Sequence, residues 1–252
     1  MKKLIIANWK MNPATANEAV TLAGKITKAA STKKSLEVAI APPALFLSTL
    51  LQKRIKRLGA QDCAPVREGA YTGLISATQL RSLKANFVII GHSERRAAGD
   101  SDEIVHKKLQ MALLAKLRPV VCVGEDARNH EDALPKMVHH QIHSALSGIK
   151  KSLAKNIIIA YEPVWAISGH GGAPDDPKHI FEVSLLIRRE LYRILGKNIA
   201  ARIPILYGGS VHDKNVGMFA RESRVDGFLV GGASLKPDVF ARLLTEADQS
   251  FS

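Results

Sequence analysis

The chain has 252 residues, 46% hydrophobic and 23% charged, and a formal net charge of +13 (36 basic minus 23 acidic side chains). This composition is typical of a soluble globular protein, and no apolar run is long enough to span a membrane. Its two cysteines, Cys63 and Cys122, form no disulfide framework or metal motif, which favours a reducing compartment and, without a signal-peptide pattern, a cytoplasmic location.

Strand-like and helix-like patterns alternate through the first half of the chain. Short, nearly continuous apolar runs are typical of strands buried on both faces, whereas apolar residues recurring every three or four positions are typical of helices. Ser76 is placed to cap one of these helices. The predicted strands are residues 4–9, 37–41, 58–61 and 87–91, and the predicted helices are residues 17–30, 44–55, 76–83 and 102–117.

The alternation continues through the second half of the chain. Predicted strands begin at residues 119, 157, 203 and 227, and predicted helices cover residues 131–153, 179–195, 215–220 and 237–246. Eight such units in about 250 residues predict an α/β protein with an all-parallel sheet, a closed (β/α)8 TIM barrel forming a single domain over residues 1–252. An open doubly wound sheet is the alternative, but no Gly-x-Gly-x-x-Gly turn follows the first strand.

Polar residues stand at the C-terminal ends of the predicted strands, where barrels of this class build their active sites. Glu162 ends the sixth strand and precedes a glycine-rich segment (residues 168–174), which suits a proton acceptor beneath a lid. For Glu162 alone, a buried carboxylate paired with a lysine is an equally good interpretation. The other strand-end residues are Asn8, Lys10, His92, Gly208, Gly209, Ser210, Gly231 and Gly232.

His92 and two glycine turns predict parts of an anion-binding reaction site. His92 precedes a short helical turn, whose positive end favours a neutral ring that can donate a hydrogen bond to a carbonyl. A packed polar residue is the alternative for His92. The turns at 208–209 and 231–232 follow neighbouring strands opposite Lys10, and glycine lets backbone N–H groups approach a phosphate closely. Together, the two turns favour phosphate binding over two ordinary tight turns.

The net charge favours anionic partners, of which a phosphorylated metabolite, nucleic acid and an acidic surface are the candidates. The basic residues are scattered over helical stretches, with no basic tail and no interleaved aromatic residues, which argues against nucleic acid. A solvated basic surface is the remaining alternative.

His139 and His143 lie one turn apart on a predicted helix, a spacing compatible with zinc binding. No carboxylate or cysteine of the sequence completes this pair as a ligand set. We therefore expect a solvated helix face there, and no metal site in the protein.

Six motifs together resemble the triosephosphate isomerase family over essentially the full length of the chain. They are Asn-Trp-Lys-Met-Asn at 8–12, Gly-Ala-Tyr-Thr-Gly at 69–73, Gly-His-Ser-Glu-Arg-Arg at 91–96, Ala-Tyr-Glu-Pro-Val-Trp-Ala-Ile at 160–167, Tyr-Gly-Gly-Ser-Val at 207–211 and Gly-Phe-Leu-Val-Gly-Gly-Ala-Ser-Leu at 227–235. The resemblance implies an isomerase of glycolysis and gluconeogenesis that interconverts dihydroxyacetone phosphate and D-glyceraldehyde 3-phosphate through an enediol(ate), without metal or organic cofactor. The family is a standard example of histidine tuning and of loop closure.

The resemblance also implies a role for each strand-end residue. Glu162 would move a proton between two carbons, neutral His92 would polarise the carbonyl and shuttle protons between the oxygens, and Lys10 would neutralise the oxyanion and the phosphate. Ile167 and Leu229 would close over Glu162 and exclude water. Asn8 would add a hydrogen bond to the substrate, and Ser168 or Gly169, Ser210, Gly231 and Gly232 would bind the phosphate.

Three departures from the family pattern stand out. The glycine-rich segment begins Ser-Gly-His-Gly-Gly, and this region is about two residues longer than usual. Leu74 replaces the usual glutamate, which bears on the subunit contact. The loop after Arg96 is about one residue short, which bears on the support of Arg95.

The resemblance implies a homodimer, in which Thr72 of the long 62–73 loop would reach the Asn8 and Lys10 region of the neighbouring subunit. Two other functions are compatible with the sequence. Another phosphate-binding barrel isomerase would not need a lysine, a histidine and a glutamate together. A non-catalytic anion- or nucleic-acid-binding barrel would fit the charge of +13, but the three reactive side chains argue against it.

Overall fold

Eight parallel strands form the inner wall of a (β/α)8 barrel in the computed structural model, which describes residues 2–127, 135–167 and 175–252. The strands are β1 (Lys3–Asn8), β2 (Leu36–Ala41), β3 (Gly59–Ala60), β4 (Phe87–Ile90), β5 (Arg118–Val123), β6 (Ile158–Tyr161), β7 (Ile205–Tyr207) and β8 (Gly227–Val230). They lie in the order β2-β1-β8-β7-β6-β5-β4-β3, and a parallel bridge between Ile40 and Leu58 joins β2 to the chain before β3. The predicted barrel and its strands are therefore confirmed.

Helices connect the strands around the outside of the barrel. The described residues include α1 (Ala16–Ala30), α2 (Ala44–Gln52), α3 (Ala77–Ser82), α4 (Ser93–Ala97), α5 (Asp102–Leu114), α6 (Lys136–Leu146), α7 (Lys151–Ala154), α8 (Pro177–Leu195), α9 (Lys197–Ala200), α10 (Val216–Glu222) and α11 (Pro237–Ser250). Two 3-10 helices, Val164–Ala166 and Gly232–Leu235, follow β6 and β8. No described helix is both long and apolar enough to cross a membrane.

The helix boundaries follow local signals in the sequence. Ser76 caps α3 as predicted, since its side chain accepts a hydrogen bond from the Gln79 N–H and the Ser76 N–H donates one to Gln79 Oε1. The stretch predicted to be mostly helical, residues 131–153, is mostly helical in its described part, where it is divided into α6 and α7. The chain leaves the helical conformation at Ser147, whose ψ is 125°, and turns at Gly148, with φ of +66°.

Both faces of the strands are buried, which explains their nearly continuous apolar sequences. On β4, Phe87 and Ile89 point into the barrel, whereas Val88 and Ile90 pack against the helices. The barrel interior is filled by Leu4, Ile6, Ala39, Ala41, Phe87, Ile89, Val120, Cys122, Ile158, Ala160, Leu206 and Leu229. This packed interior leaves the C-terminal mouth of the barrel as the place where the strand-end side chains meet.

Candidate active site

A cavity of about 310 Å³ lies at the C-terminal mouth of the barrel. It brings together the strand-end side chains of β1, β4 and β6 with the glycine turns after β7 and β8. Its wall consists of Asn8, Lys10, Asn12, His92, Glu162, Ile167, Gly208, Gly209, Val211, Leu229, Gly231, Gly232, Ala233 and Leu235. Most residues predicted for the site therefore share one cavity, with Ile167 and Leu229 in its wall.

The Glu162 carboxylate is 2% exposed and is held from two sides. Its Oε2 accepts a hydrogen bond from the Ser93 N–H at 3.2 Å, at the start of α4. Its Oε1 lies 3.4 Å from Nε2 of His92. No lysine pairs with Glu162 among the described ion pairs, so the alternative of a structural lysine partner is not supported there.

His92 is buried and is itself the N-cap of α4. Its Nδ1 accepts a hydrogen bond from the Glu94 N–H at 3.2 Å. A ring nitrogen that accepts a hydrogen bond carries no proton, so this contact places the ring N–H at Nε2. This N–H faces the cavity and Glu162.

Lys10 is fixed through its backbone, which has φ of +52°. Its N–H donates to Asn8 Oδ1 at 3.1 Å, and its carbonyl accepts a hydrogen bond from Gln61 Nε2 at 2.8 Å. Its ammonium group forms a 2.7 Å ion pair with Glu94. With Asn8 Oδ1 occupied by this contact, the Nδ2 amide is the end of Asn8 that suits a ligand.

The chain after β8 forms one end of the cavity. At Gly231, the chain enters the 3-10 helix Gly232–Leu235, whose first N–H groups have no partner within the helix. A Cβ at Gly231 would be in ordinary contact with Lys10, 3.4 Å from its Cε, so the Lys10 side chain lies beside the start of this 3-10 helix.

Ser210 lies between Gly209 and Val211, both of which line the cavity. Its N–H donates to the Ala166 carbonyl at 3.1 Å, which links the turn after β7 to the chain after β6. Ser168 and Gly169, the other predicted phosphate ligands, lie outside the described residues.

A buried carboxylate that the sequence analysis missed holds the chain after β6. Glu125 Oε1 accepts hydrogen bonds from the Tyr161 hydroxyl at 2.8 Å and from Trp165 Nε1 at 2.9 Å. Burial raises the pKa of Glu125, and these two hydrogen bonds oppose the increase. The signal that could have found it is its position just after β5, beside the strand that carries Glu162.

Cys122 was also missed as a neighbour of the site. It lies in the barrel interior on β5, paired in register with Ala160 of β6. Burial first, and then the nearby Glu162 charge, raise the pKa of its thiol well above the usual range. Cys122 is therefore an inert thiol beneath the Glu162 carboxylate rather than a nucleophile.

A second cavity, of about 460 Å³, lies beside the active site. Its wall includes Arg95 and the charged residues that hold the Arg95 side chain in place. Arg95 pairs with Asp62 at 3.1 Å and with Asp100 at 3.3 Å, and the buried Lys108 pairs with both carboxylates at 2.7 and 2.6 Å. The shortened loop thus supports Arg95 from within the same chain. We call this cavity the groove; its wall consists of Ala44, Gln61, Asp62, Cys63, Ala64, Pro65, Gly73, Leu74, Ile75, Arg95, Asp100, Ile104 and Lys108.

Nearly the whole chain matches one protein family. The family model described as triosephosphate isomerase matches residues 3–247. A triosephosphate isomerase of Aquifex aeolicus is 40% identical over 249 residues, covering 97% of this chain and 99% of the relative. Those of Dictyoglomus turgidum and Dehalococcoides mccartyi are 39% and 42% identical, over 95% and 98% of this chain and 97% of each relative.

Proposed function

The chain belongs to the triosephosphate isomerase family and interconverts dihydroxyacetone phosphate and D-glyceraldehyde 3-phosphate, a step of glycolysis, and we propose that Lys10, His92 and Glu162 carry out this reaction. The observation that carries the assignment is the meeting of a buried carboxylate, a neutral imidazole N–H and a cation in one cavity of about 310 Å³. No second function has comparable support in this site.

Glu162 acts as the base that moves a proton between the two carbons. In the described state its Oε2 is occupied by the Ser93 N–H. The carboxylate therefore leaves Ser93 before it reaches a carbon-bound proton in the cavity. Once there, it takes the proton beside the carbonyl, which gives an enediol(ate), and returns it to the neighbouring carbon.

His92 serves as the electrophile because its Nε2–H faces the cavity while Nδ1 is committed to the Glu94 N–H. A neutral imidazole N–H polarises a carbonyl oxygen and can give and regain its proton as the two oxygens exchange roles. Lys10 adds positive charge where the oxyanion develops, and Asn8 Nδ2 adds a hydrogen bond. Because the hydrogen and electrons stay within the substrate, the reaction requires no redox cofactor.

The phosphate is held at the turns after β7 and β8. The N–H groups of Gly231 and Gly232 and the Lys10 ammonium supply charge and hydrogen bonds for its oxygens, with Ser210 as a further donor. An N–H of Ser168 or Gly169 is the contact that we predict from the glycine-rich segment.

The protein acts as a homodimer in this proposal, with the 62–73 loop of one copy in the groove of the other. Two large apolar side chains of the groove wall are exposed to solvent, Leu74 at 51% and Ile75 at 39%. Leu45, next to Ala44 of the wall in sequence, is 81% exposed. Such a concentration of exposed apolar surface is typical of an interface. Membrane partners and nucleic acid have no part in the proposal.

A cytoplasmic location is also part of the proposal. The support is that both cysteines, Cys63 and Cys122, are free thiols buried in the fold. Burial raises the pKa of the Cys63 thiol to about 12, which keeps it protonated and unreactive. Free cysteines of this kind are typical of proteins in a reducing compartment.

The assignment of Glu162 is tested by shortening its side chain. Glu162→Asp withdraws the carboxylate by one methylene, and a displacement of about 1 Å at a reacting group costs on the order of 100-fold in rate. We expect kcat in a coupled assay to fall by that factor, while circular dichroism and Tm stay near those of the unchanged protein. Unchanged turnover would remove Glu162 from the role of base.

A further inference from the structure

Two histidines and a glutamate meet on the outer surface of the barrel, away from the active-site cavity. His139 and His143 lie one turn apart on α6, and their rings stack with centroids 4.3 Å apart. Glu190 on the adjacent helix α8 faces them. The expectation that no carboxylate completes this pair is therefore wrong, because the ligand set is assembled from two helices far apart in sequence.

The ligand atoms of the three residues converge on one point. His139 Nε2 lies 3.6 Å and His143 Nε2 lies 3.3 Å from the same oxygen, Glu190 Oε2, and all three ligand atoms are within 4.8 Å of one another. A tetrahedral Zn²⁺ with ligand distances of about 2.0–2.2 Å separates its ligand atoms by roughly 3.3–3.6 Å. The distances to Glu190 Oε2 thus match the edges of a zinc tetrahedron.

The surroundings of Glu190 orient it as a ligand. Arg193 donates to the other oxygen, Oε1, at 2.7 Å, which leaves Oε2 for the histidines. Ligating carboxylates in metal sites are commonly fixed by such an outer contact. The Glu190 side chain is only 2% exposed, whereas those of His139 and His143 are 49% and 45% exposed, so an ion can enter from solvent.

An ion pair explains this cluster less well than a metal does. Only His143 lies within hydrogen-bond distance of Glu190 Oε2, and His139 lies beyond it. Protonating both stacked rings would place two positive charges side by side, next to Arg193. A divalent ion instead engages both neutral rings and the carboxylate at once.

We propose that His139, His143 and Glu190 bind one Zn²⁺ ion, with water as its fourth ligand. The ion bridges helices α6 and α8, which follow the neighbouring strands β5 and β6. Because it binds only the folded arrangement of the two helices, it stabilises the barrel by ligand linkage. This site is independent of the isomerase chemistry.

Zinc titration of the full-length protein, free of any histidine tag and stripped with a chelator, tests the proposal. By calorimetry, we expect one Zn²⁺ per chain and an increase in Tm with zinc. His139→Gln and His143→Gln should each weaken zinc binding at least about tenfold, since loss of even an outer contact to a ligand costs about 10- to 100-fold. Both residues are half-exposed, so the variants are expected to fold.

The matched control is His140→Gln, because His140 lies on the same helix with its side chain 74% exposed but is not part of the cluster. It should bind zinc as the unchanged protein does. With Co²⁺ in place of zinc, the unchanged protein and His140→Gln should show the intense visible absorption bands of tetrahedral coordination. The other two variants should lack these bands. Absence of stoichiometric binding, or equal affinity in all variants, would overturn the proposal. Isomerase turnover should be equal in every variant.

Discussion

At the scale of single residues, the position of the Glu162 carboxylate, the proposed base, depends on Gly208, a residue without a side chain. A Cβ at Gly208 would lie 2.8 Å from Glu162 Cγ and 3.4 Å from its Oε1. The 2.8 Å distance is shorter than a normal contact, so a side chain at Gly208 requires Glu162 Cγ to move. The bare backbone at Gly208 therefore leaves room for the Glu162 side chain on β6.

Gly208→Ala is therefore expected to reduce kcat by about 10- to 100-fold, because a reacting group displaced by a fraction of an ångström to 1 Å loses its alignment. The measurement is kcat in the coupled assay, together with Tm. The control is Gly24→Ala on α1, where a Cβ meets nothing within 4 Å, so Tm should stay level or increase. Full activity in Gly208→Ala would show that Glu162 adapts without loss.

At the scale of elements, Glu125 joins the end of β5 to β6 and to the following 3-10 helix through Tyr161 and Trp165. Burial raises its pKa above the ordinary 4.5. The folded protein therefore keeps the Glu125 proton at a pH where the unfolded chain has lost it. As the pH rises from 4.5 through the raised pKa, the contribution of Glu125 to the free energy of unfolding decreases.

Glu125→Gln removes this titration while preserving the oxygen that accepts both hydrogen bonds. We expect the Tm of the variant, relative to that of the unchanged protein, to be higher at about pH 8 than at about pH 5. Each pKa unit between the folded and unfolded states corresponds to about 1.4 kcal/mol. Thermal unfolding of both proteins across this range is the measurement, and parallel Tm curves would contradict the assigned cause.

The elements also show where sequence reasoning succeeds and where it stops. The strands were predictable because burial on both faces leaves an apolar run, and Glu162 and His92 were predictable because a parallel barrel gathers its strand ends. Contacts between helices carry no such signal. The approach of Glu190 to His139 depends on how α6 and α8 pack, which neither helix's own pattern specifies.

At the scale of the whole molecule, the proposed dimer completes two features that a single copy leaves incomplete. One is the exposed apolar surface around the groove, and the other is the active site. Leu74 is exposed in the wall of the groove. The proposed dimer covers this surface with the 62–73 loop of a second copy. It also brings Thr72, exposed in one copy, to the Lys10 region of the other.

Thr72→Arg is therefore expected to dissociate the dimer without unfolding the subunit. The added guanidinium would enter a groove whose two carboxylates, Asp62 and Asp100, are already paired with Arg95 and Lys108. A buried unpaired charge at an interface costs at least about 2 kcal/mol, which raises the dimer Kd by roughly 30-fold. Sedimentation velocity at micromolar concentration should show monomers, and turnover should fall with the loss of the neighbouring loop.

Ser147→Arg provides the control, since it adds the same charge at an exposed position beyond the end of α6. It should remain dimeric and active, whereas Thr72→Arg should regain dimer and turnover together as the protein concentration is raised. That joint recovery separates a weakened interface from a damaged site. If Thr72→Arg sediments as the control does, the 62–73 loop does not occupy the groove, and the assembly must use another surface.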